Sequence, residues 1–334
     1  MINVELKGGA VKEFENGTTP AEIAKSIGAG LYKSVCCAKV DGDLCDLRTP
    51  LEKDCKVELL TFDNVDGQKT FWHTASHVLA QAVKRLYPNA KCAIGPAVDN
   101  GFYYDFDVEK PFSPEDLEKI KAEMKKIVKS GLELERVELS PEEAEKKLEE
   151  MNEPYKVELV KEHSDKGEHI TFYKQGEFID LCAGPHLMSV APIKAIELTA
   201  CTGAYWRGDA NNAQLCRVYG VAFPKASMLE EHLKKLEEAK LRDHNKLGRE
   251  LEYFTTVDYV GQGLPILLPK GARVVQLLQR WVEDVEQSKG CLLTKTPLLA
   301  KRDLYKISGI ITLTVCLYSA IRMTKKRNAL HFVL

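Results

Sequence analysis

The chain has 334 residues, with 47 Lys and Arg against 49 Asp and Glu, a formal net charge of -2, and 44% hydrophobic and 29% charged residues. That length exceeds one ordinary domain, and the composition excludes disordered and fibrous classes, so a soluble protein of two or three domains is expected. A near-neutral balance offers nucleic acid no global attraction, so an RNA partner would have to be held by local clusters of Lys and Arg.

The first residues, MINVELKGGAVKEFENG, are polar and lack the apolar core of a signal peptide. Residues 1–62 alternate the strand patterns INVEL, VKEF, SVCCAKV and KVELL with one helix, TTPAEIAKSIG, which has a Thr cap, Pro in its first turn and Gly at its exit. VDGD at 40–43 is a hairpin signal, and FDNVDGQKT at 62–70 reads as a turn-rich linker. A helical pattern then runs from Phe71 to Leu86 and stops before Pro88. Residues 113–150 predict two charged amphipathic helices around a strand, each opened by Ser-Pro with acids following. Residues 168–223 read as short strands, and 225–250 as one long helix with Gly248 as its end. The longest apolar run, IITLTVCLY at 310–318, falls short of the ~20 residues of a membrane helix. A cytoplasmic protein without a membrane partner is expected, its ten cysteines reduced.

Two stretches carry chemistry. At about 100° per residue, Phe71, Trp72, Ala75, Val78, Leu79, Ala82, Val83 and Leu86 gather on one side of the first long helix, which is read as core. His73 and His77 fall together on the opposite, polar side. Downstream, EFIDLCAGPH is a strand ending in Asp180 and Cys182, followed by a Gly-Pro turn able to fold His186 back toward Cys182. His73, His77, Cys182 and His186 have the number and type of zinc ligands. Equally, imidazoles near neutral pKa can take the proton of a water that attacks an ester. Spacing alone leaves both open.

HTASHVLAQAVKRLYP, AIGPAVDNGFYYDFD at 93–107, FIDLCAGPH, TGAYWRGD at 202–209 and RDHNKLGREL at 242–251 together resemble the bacterial threonyl-tRNA synthetase family, in its order and spacing, over residues 1 to about 309. The resemblance implies a ubiquitin-like β-grasp TGS domain at 1–62, an α+β editing domain at 63–224, a linker helix at 225–248 and an incomplete class II aminoacylation domain at 249–309. Residues 310–334 match nothing in the family and are expected to be an atypical tail of a truncated product. The implied activity is hydrolysis of serine wrongly attached to threonine tRNA, because a threonine pocket cannot exclude an amino acid smaller by one methyl group. The implied site is His73, His77, Tyr104, Lys156, Asp180, Cys182 and His186. Within it, the two histidines of the helix orient water and ribose, Lys156 and Tyr104 donate hydrogen bonds, Asp180 holds the serine amine, and Cys182 and His186 exclude threonine.

No cofactor is expected for editing. Related alanyl-type editing domains hold zinc with the same pattern, so His73, His77, Cys182 and His186 would be the ligands if zinc is bound. ATP, Mg and the catalytic zinc belong to the part of the family's aminoacylation domain without a match here, so threonine activation is not expected. Expected partners are tRNA(Thr) carrying serine and, through the helix and strand of residues 272–300, a second copy, although the truncated chain puts the dimer in doubt. The alternative is a non-catalytic tRNA-binding module.

Overall fold

The computed structural model describes residues 1–261 and 263–295, with the backbone of three short strands at 299–301, 320–322 and 330–333. The chain divides into two compact units, Met1–Glu238 and Ala239–Leu334.

The first unit opens with strands β1 (Ile2–Leu6), β2 (Val11–Phe14), β3 (Val35–Val40), β4 (Asp43–Cys45) and β5 (Cys55–Thr61) in the order β2-β1-β5-β3-β4. β1 runs parallel to β5 and the other pairs are antiparallel, as a β-grasp requires. Helix α1 (Pro20–Ile27) starts where the sequence predicts: the Thr19 hydroxyl accepts from the Glu22 N–H and the Glu22 carboxylate accepts from the Thr19 N–H. A short second helix, α2 (Ala29–Ser34), was not expected. The predicted hairpin forms between β3 and β4, with Asp41 and Gly42 at positive φ. Ile2, Val4, Ile23, Leu47 and Val57 fill this small core.

The expected linker at 62–70 is largely helix. Helix α3 spans Val65–Leu86, six residues more than the pattern predicts at its start. Gly67 is not a turn glycine: a Cβ there would lie 2.0 Å from the Thr61 carbonyl oxygen, so the missing side chain lets the helix press against the end of β5. Phe62 and Cys36 of the first sheet join the larger core around α3, which packs the two sheets together.

Beyond α3 come β6 (Lys91–Cys92), β7 (Ala97–Val98), β8 (Gly101–Asp107), α4 (Pro114–Ser130), β9 (Leu134–Glu138), α5 (Pro141–Glu150) and α6 (Pro154–Asp165). The helices α4 and α5 carry the predicted Ser caps, Ser113 with Asp116 and Ser140 with Glu143. β10 (Thr171–Gln175) and β11 (Phe178–Leu181) complete a sheet of order β11-β10-β9, and β12 (Ala195–Tyr205) and β13 (Gln214–Phe223) a second of order β12-β13-β8-β6. β12 and β13 are long, 11 and 10 residues, where short strands were expected; their mutual register runs from Ala195↔Phe223 to Tyr205↔Gln214. α3 buries Phe71, Trp72, Val78 and Leu79 between these layers.

The long helix predicted at 225–250 is two helices. α7 (Ala226–Leu241) ends before Asp243, whose carboxylate accepts from the Lys246 N–H and opens α8 (His244–Glu250). Gly248 lies inside α8 rather than ending it, because a Cβ would sit 2.0 Å from the Phe254 ring. In the second unit, β14 (Phe254–Thr255) pairs with β15 (Ile266–Leu267), and α9 (Pro269–Ser288) begins at a proline three residues ahead of the expected start. β16 (Leu299–Lys301), β17 (Ala320–Arg322) and β18 (Leu330–Val333) pair in the order β16-β18-β17. Of the helix and strand expected in 272–300, no strand forms at 291–295, and residues 296–298 and IITLTVCLY lie outside the described residues. The nine cysteines among the described residues are free thiols, and no described helix is long and apolar enough to cross a membrane.

Candidate functional site

α3 carries His73 and His77 one helical turn apart, their ring centroids 5.4 Å from each other. The helix face they occupy is not a polar outer face as the pattern suggests. His77 is 2% exposed, and α3 is buried on nearly all sides because the 180–187 segment covers the face opposite the apolar stripe. Asp180 comes from the end of β11, and the turn after it returns as predicted: Cys182 Sγ lies 3.2 Å from His186 Nε2 and 3.3 Å from His73 Nε2. Gly184 makes this turn at φ +75°, and a Cβ on it would fall 2.3 Å from the Tyr173 hydroxyl. The His186 ring centroid is 4.2 Å from those of both His73 and His77.

Lys156, which without the resemblance reads as an exposed strand lysine, is instead buried in the first turns of α6 with its Nζ 2.9 Å from Asp180 Oδ1. The Tyr104 hydroxyl, from β8, donates to Asp180 Oδ2 at 2.7 Å, and His77 Nε2 is 3.6 Å from the same oxygen. All seven residues named from the sequence are therefore brought into one connected cluster. A cavity of about 370 Å³ opens onto His73, His77, Lys156, Asp180 and Cys182. Tyr104 is fully buried behind Asp180, and its hydroxyl proton is committed to that carboxylate.

Burial works to raise the pKa of Asp180, but Lys156, His77 and the hydrogen bonds from Lys156 and Tyr104 outweigh it and hold it below the ordinary value. Burial likewise works to lower Lys156, and the Asp180 charge overcomes that and leaves it raised. Burial pushes His73 down to about 4, against the pull of Asp180, and His186 well below its ordinary value, with His77 and His73 adding to the effect. Both rings are neutral at pH 7. Burial also pushes Tyr104 well above its ordinary value, so it stays a donor.

Sequence reasoning missed Thr74. Its hydroxyl donates to the Thr70 carbonyl and accepts from the Leu187 N–H, so the contact with His186 Nδ1 at 3.2 Å is made with the ring as donor. This leaves Nε2 of His186 as an acceptor facing Cys182. A hydroxyl residue between the two histidines of HTASH was the available signal. The His77 Nδ1 atom is buried and has no hydrogen-bond partner.

The ligand atoms of His73, His77, Cys182 and His186 lie within 4.8 Å of one another. The contacts of 3.2 and 3.3 Å at Cys182 are close to the edge of a zinc tetrahedron, roughly 3.5 Å, whereas the full spread is wider, so the set would have to contract around an ion; thiolate and imidazole donors are those zinc takes. When bound, zinc there would supply Lewis-acid activation of water.

Comparison with known proteins agrees with this architecture. Residues 2–61 match the TGS domain, and residues 170–219 match the threonyl and alanyl tRNA synthetase second additional domain. The chain thus joins a stretch similar to the TGS domain to one similar to the second additional domain of threonyl and alanyl tRNA synthetases. It is a homologue of threonine–tRNA ligases: 59% identical over 309 residues to that of Clostridium perfringens (strain ATCC 13124), 52% over 309 to that of Acetivibrio thermocellus, and 50% over 306 to that of Caldanaerobacter subterraneus subsp. tengcongensis. Each match covers 92% of this chain and 48%, 48% and 47% of the relative, so the chain spans about half the length of the curated relatives it matches.

Proposed function

We propose that the cluster hydrolyses the ester of seryl-tRNA(Thr). The observation that carries this reading is His77: its ring lines the cavity, its Nε2 faces the Asp180 carboxylate, and its Nδ1 has no partner. A carboxylate 3.6 Å from Nε2 biases the ring proton to that nitrogen and leaves a lone pair on Nδ1; that atom is buried, so it would take the proton of an attacking water once the ring or its cover shifts to expose it. Lys156, raised in pKa and lining the same cavity, supplies a cation to the oxyanion that develops. Asp180 keeps acceptor capacity beyond its bonds to Lys156 and Tyr104 and would take the serine ammonium. His73 orients the ribose, and Cys182 with His186 closes the space that a threonine methyl group would need.

Under this reading the partner is tRNA(Thr) carrying serine and the protein works in the cytoplasm. Residues 249–309 would form the start of a class II aminoacylation domain, with 225–248 linking it to the editing domain.

The test is incubation of the protein with seryl-tRNA(Thr) and threonyl-tRNA(Thr). Loss of the seryl ester with survival of the threonyl ester supports the proposal. A seryl ester that decays only at the buffer rate, while tRNA still binds, replaces it with a non-catalytic RNA-binding module. Activity abolished by chelator and restored by zinc moves the chemistry to the metal.

A further inference from the structure

We infer that Asp46 and Arg48, on the loop leaving β4 in the N-terminal sheet, are positioning residues for the hydrolytic site, holding the backbone of His186 from outside the domain that carries it. The inference rests on the reading of the site as an ester hydrolase. Asp46 is only 7% exposed. Its Oδ2 accepts from the His186 N–H at 3.2 Å and from the Tyr173 hydroxyl at 2.8 Å. Its Oδ1 accepts from the Arg48 N–H at 2.9 Å and from Arg48 Nη1 at 3.0 Å.

The guanidinium then spans three carbonyls. Nε donates to Leu134 at 3.0 Å, Nη2 to Leu187 at 2.8 Å, and Nη1 to His186 at 3.4 Å. Residue 186 is therefore gripped at both its N–H and its C=O by one carboxylate–guanidinium pair. A planar fork of donors fixed by a buried carboxylate is what a flexible ammonium could not reproduce. Tyr173, oriented by Asp46, lies with its ring centroid 4.4 Å from that of His186 and its hydroxyl directly beneath Gly184. The carboxylate thus sets the main chain, and the phenol sets the ring, of the residue that faces Cys182.

General attachment of the two domains does not need this arrangement. Packing of Gly67 on Thr61, the Lys39–Asp66 ion pair and the shared core through Phe62 already join them. Among the described residues, only the Asp46–Arg48 contacts of the N-terminal sheet end on a site residue.

The experiment compares Asp46→Asn and Arg48→Lys with Asp54→Ala in the full chain. Asp54 is a second carboxylate of the same small domain, bonded to Asn3 at 2.7 and 3.1 Å and taking no part in the site. Two readouts are taken: steady-state seryl-tRNA hydrolysis, and the imidazole resonances of His186 in histidine-labelled protein. Expected for both test variants is a fall in kcat of ~10- to 10²-fold with KM within about twofold, the usual consequence of a small misplacement, and a displaced His186 signal. Asp54→Ala is expected to leave both readouts as in the parent. A kcat in Asp46→Asn and Arg48→Lys that matches Asp54→Ala, or a His186 signal that does not move, overturns the inference. Should the parent protein hydrolyse no ester, the hydrolase reading fails by itself, and the His186 signal still decides whether the two residues hold the turn. Should Asp46→Asn fail to fold, Arg48→Lys, which keeps the charge and loses the fork, carries the test.

Discussion

Lys156 and Asp180 pair at 2.9 Å with both side chains 5% exposed. Neither charge has solvent to fall back on, so each exists in its ionised form because of the other, and removing one strands its partner.

Lys156→Met is therefore expected to destabilise the first unit by about 3–5 kcal/mol, the usual cost of leaving a buried charge unpaired. Asp180→Asn should cost a comparable amount, whereas the double variant should cost clearly less than the two together, because no charge is then left behind. Urea denaturation of the three variants measures the coupling. Strict additivity would show that the two charges are not paired in solution.

His77→Ala should lower seryl-ester hydrolysis by ~10²-fold or more, as for loss of a general base. Because His77 is buried against the 180–187 segment, the fold should also lose stability, on the order of 1–3 kcal/mol, rather than remain untouched as a polar outer face would predict. Activity equal to the parent's removes His77 from the mechanism. Val78→Asp, one residue on, should abolish folding, since that position is fully buried in the core and offers the charge no partner.

The depressed pKa of His73 makes a statement about acid stability. In the unfolded chain the ring binds a proton below its ordinary value of 6.5, whereas in the fold it resists until about 4. Between these values the unfolded state holds more protons, so stability falls as pH falls, by up to roughly 3 kcal/mol, and His186 adds in the same direction. The urea midpoint should decline from pH 7 to 4.5, and His73→Gln, which cannot titrate, should flatten the slope. An unchanged slope would place the ring in water.

Gly184→Ala is expected to lose hydrolysis and stability together. Its positive φ disfavours a side chain, and the new methyl group would meet the Tyr173 hydroxyl. Circular dichroism melting and the ester assay follow the two losses. If alanine is tolerated, the turn has room that its geometry denies.

In the second unit, α9 exposes Leu277 by 49%, Leu278 by 55% and Trp281 by 63%. The expected consequence is self-association in dilute buffer. Leu278→Glu with Trp281→Lys should reduce light scattering without altering seryl-ester hydrolysis, whose residues all lie before position 190.

The sequence carried the site because its chemistry comes in compact motifs. His73 with His77 and Cys182 with His186 are each separated by three residues, and local backbone rules bring each pair together. The capped helices and the VDGD hairpin were legible for the same reason. What failed depended on distant atoms. Gly67 and Gly248 look like breakers in isolation and turn out to be packing positions, because the partners that need the space are the Thr61 backbone and the Phe254 ring. His77 looks outward on a helical wheel until the 180–187 segment arrives to cover it. Asp46 and Arg48 sit some 140 residues from the turn they hold, and no local pattern marks them.

The unbroken run of α3 from Val65 ties position to rotation. With only the turn at 62–64 between β5 and α3, and Gly67 packed on Thr61, inserting a single residue at 68–69 would turn His73 and His77 by about 100° about the helix axis and move them ~1.5 Å along it, out of reach of Cys182. Natural length variation should therefore be absent from this stretch and gather in the surface turn at 208–213. A chimera that exchanges the small N-terminal sheet for another would have to be spliced in helical register, not merely joined.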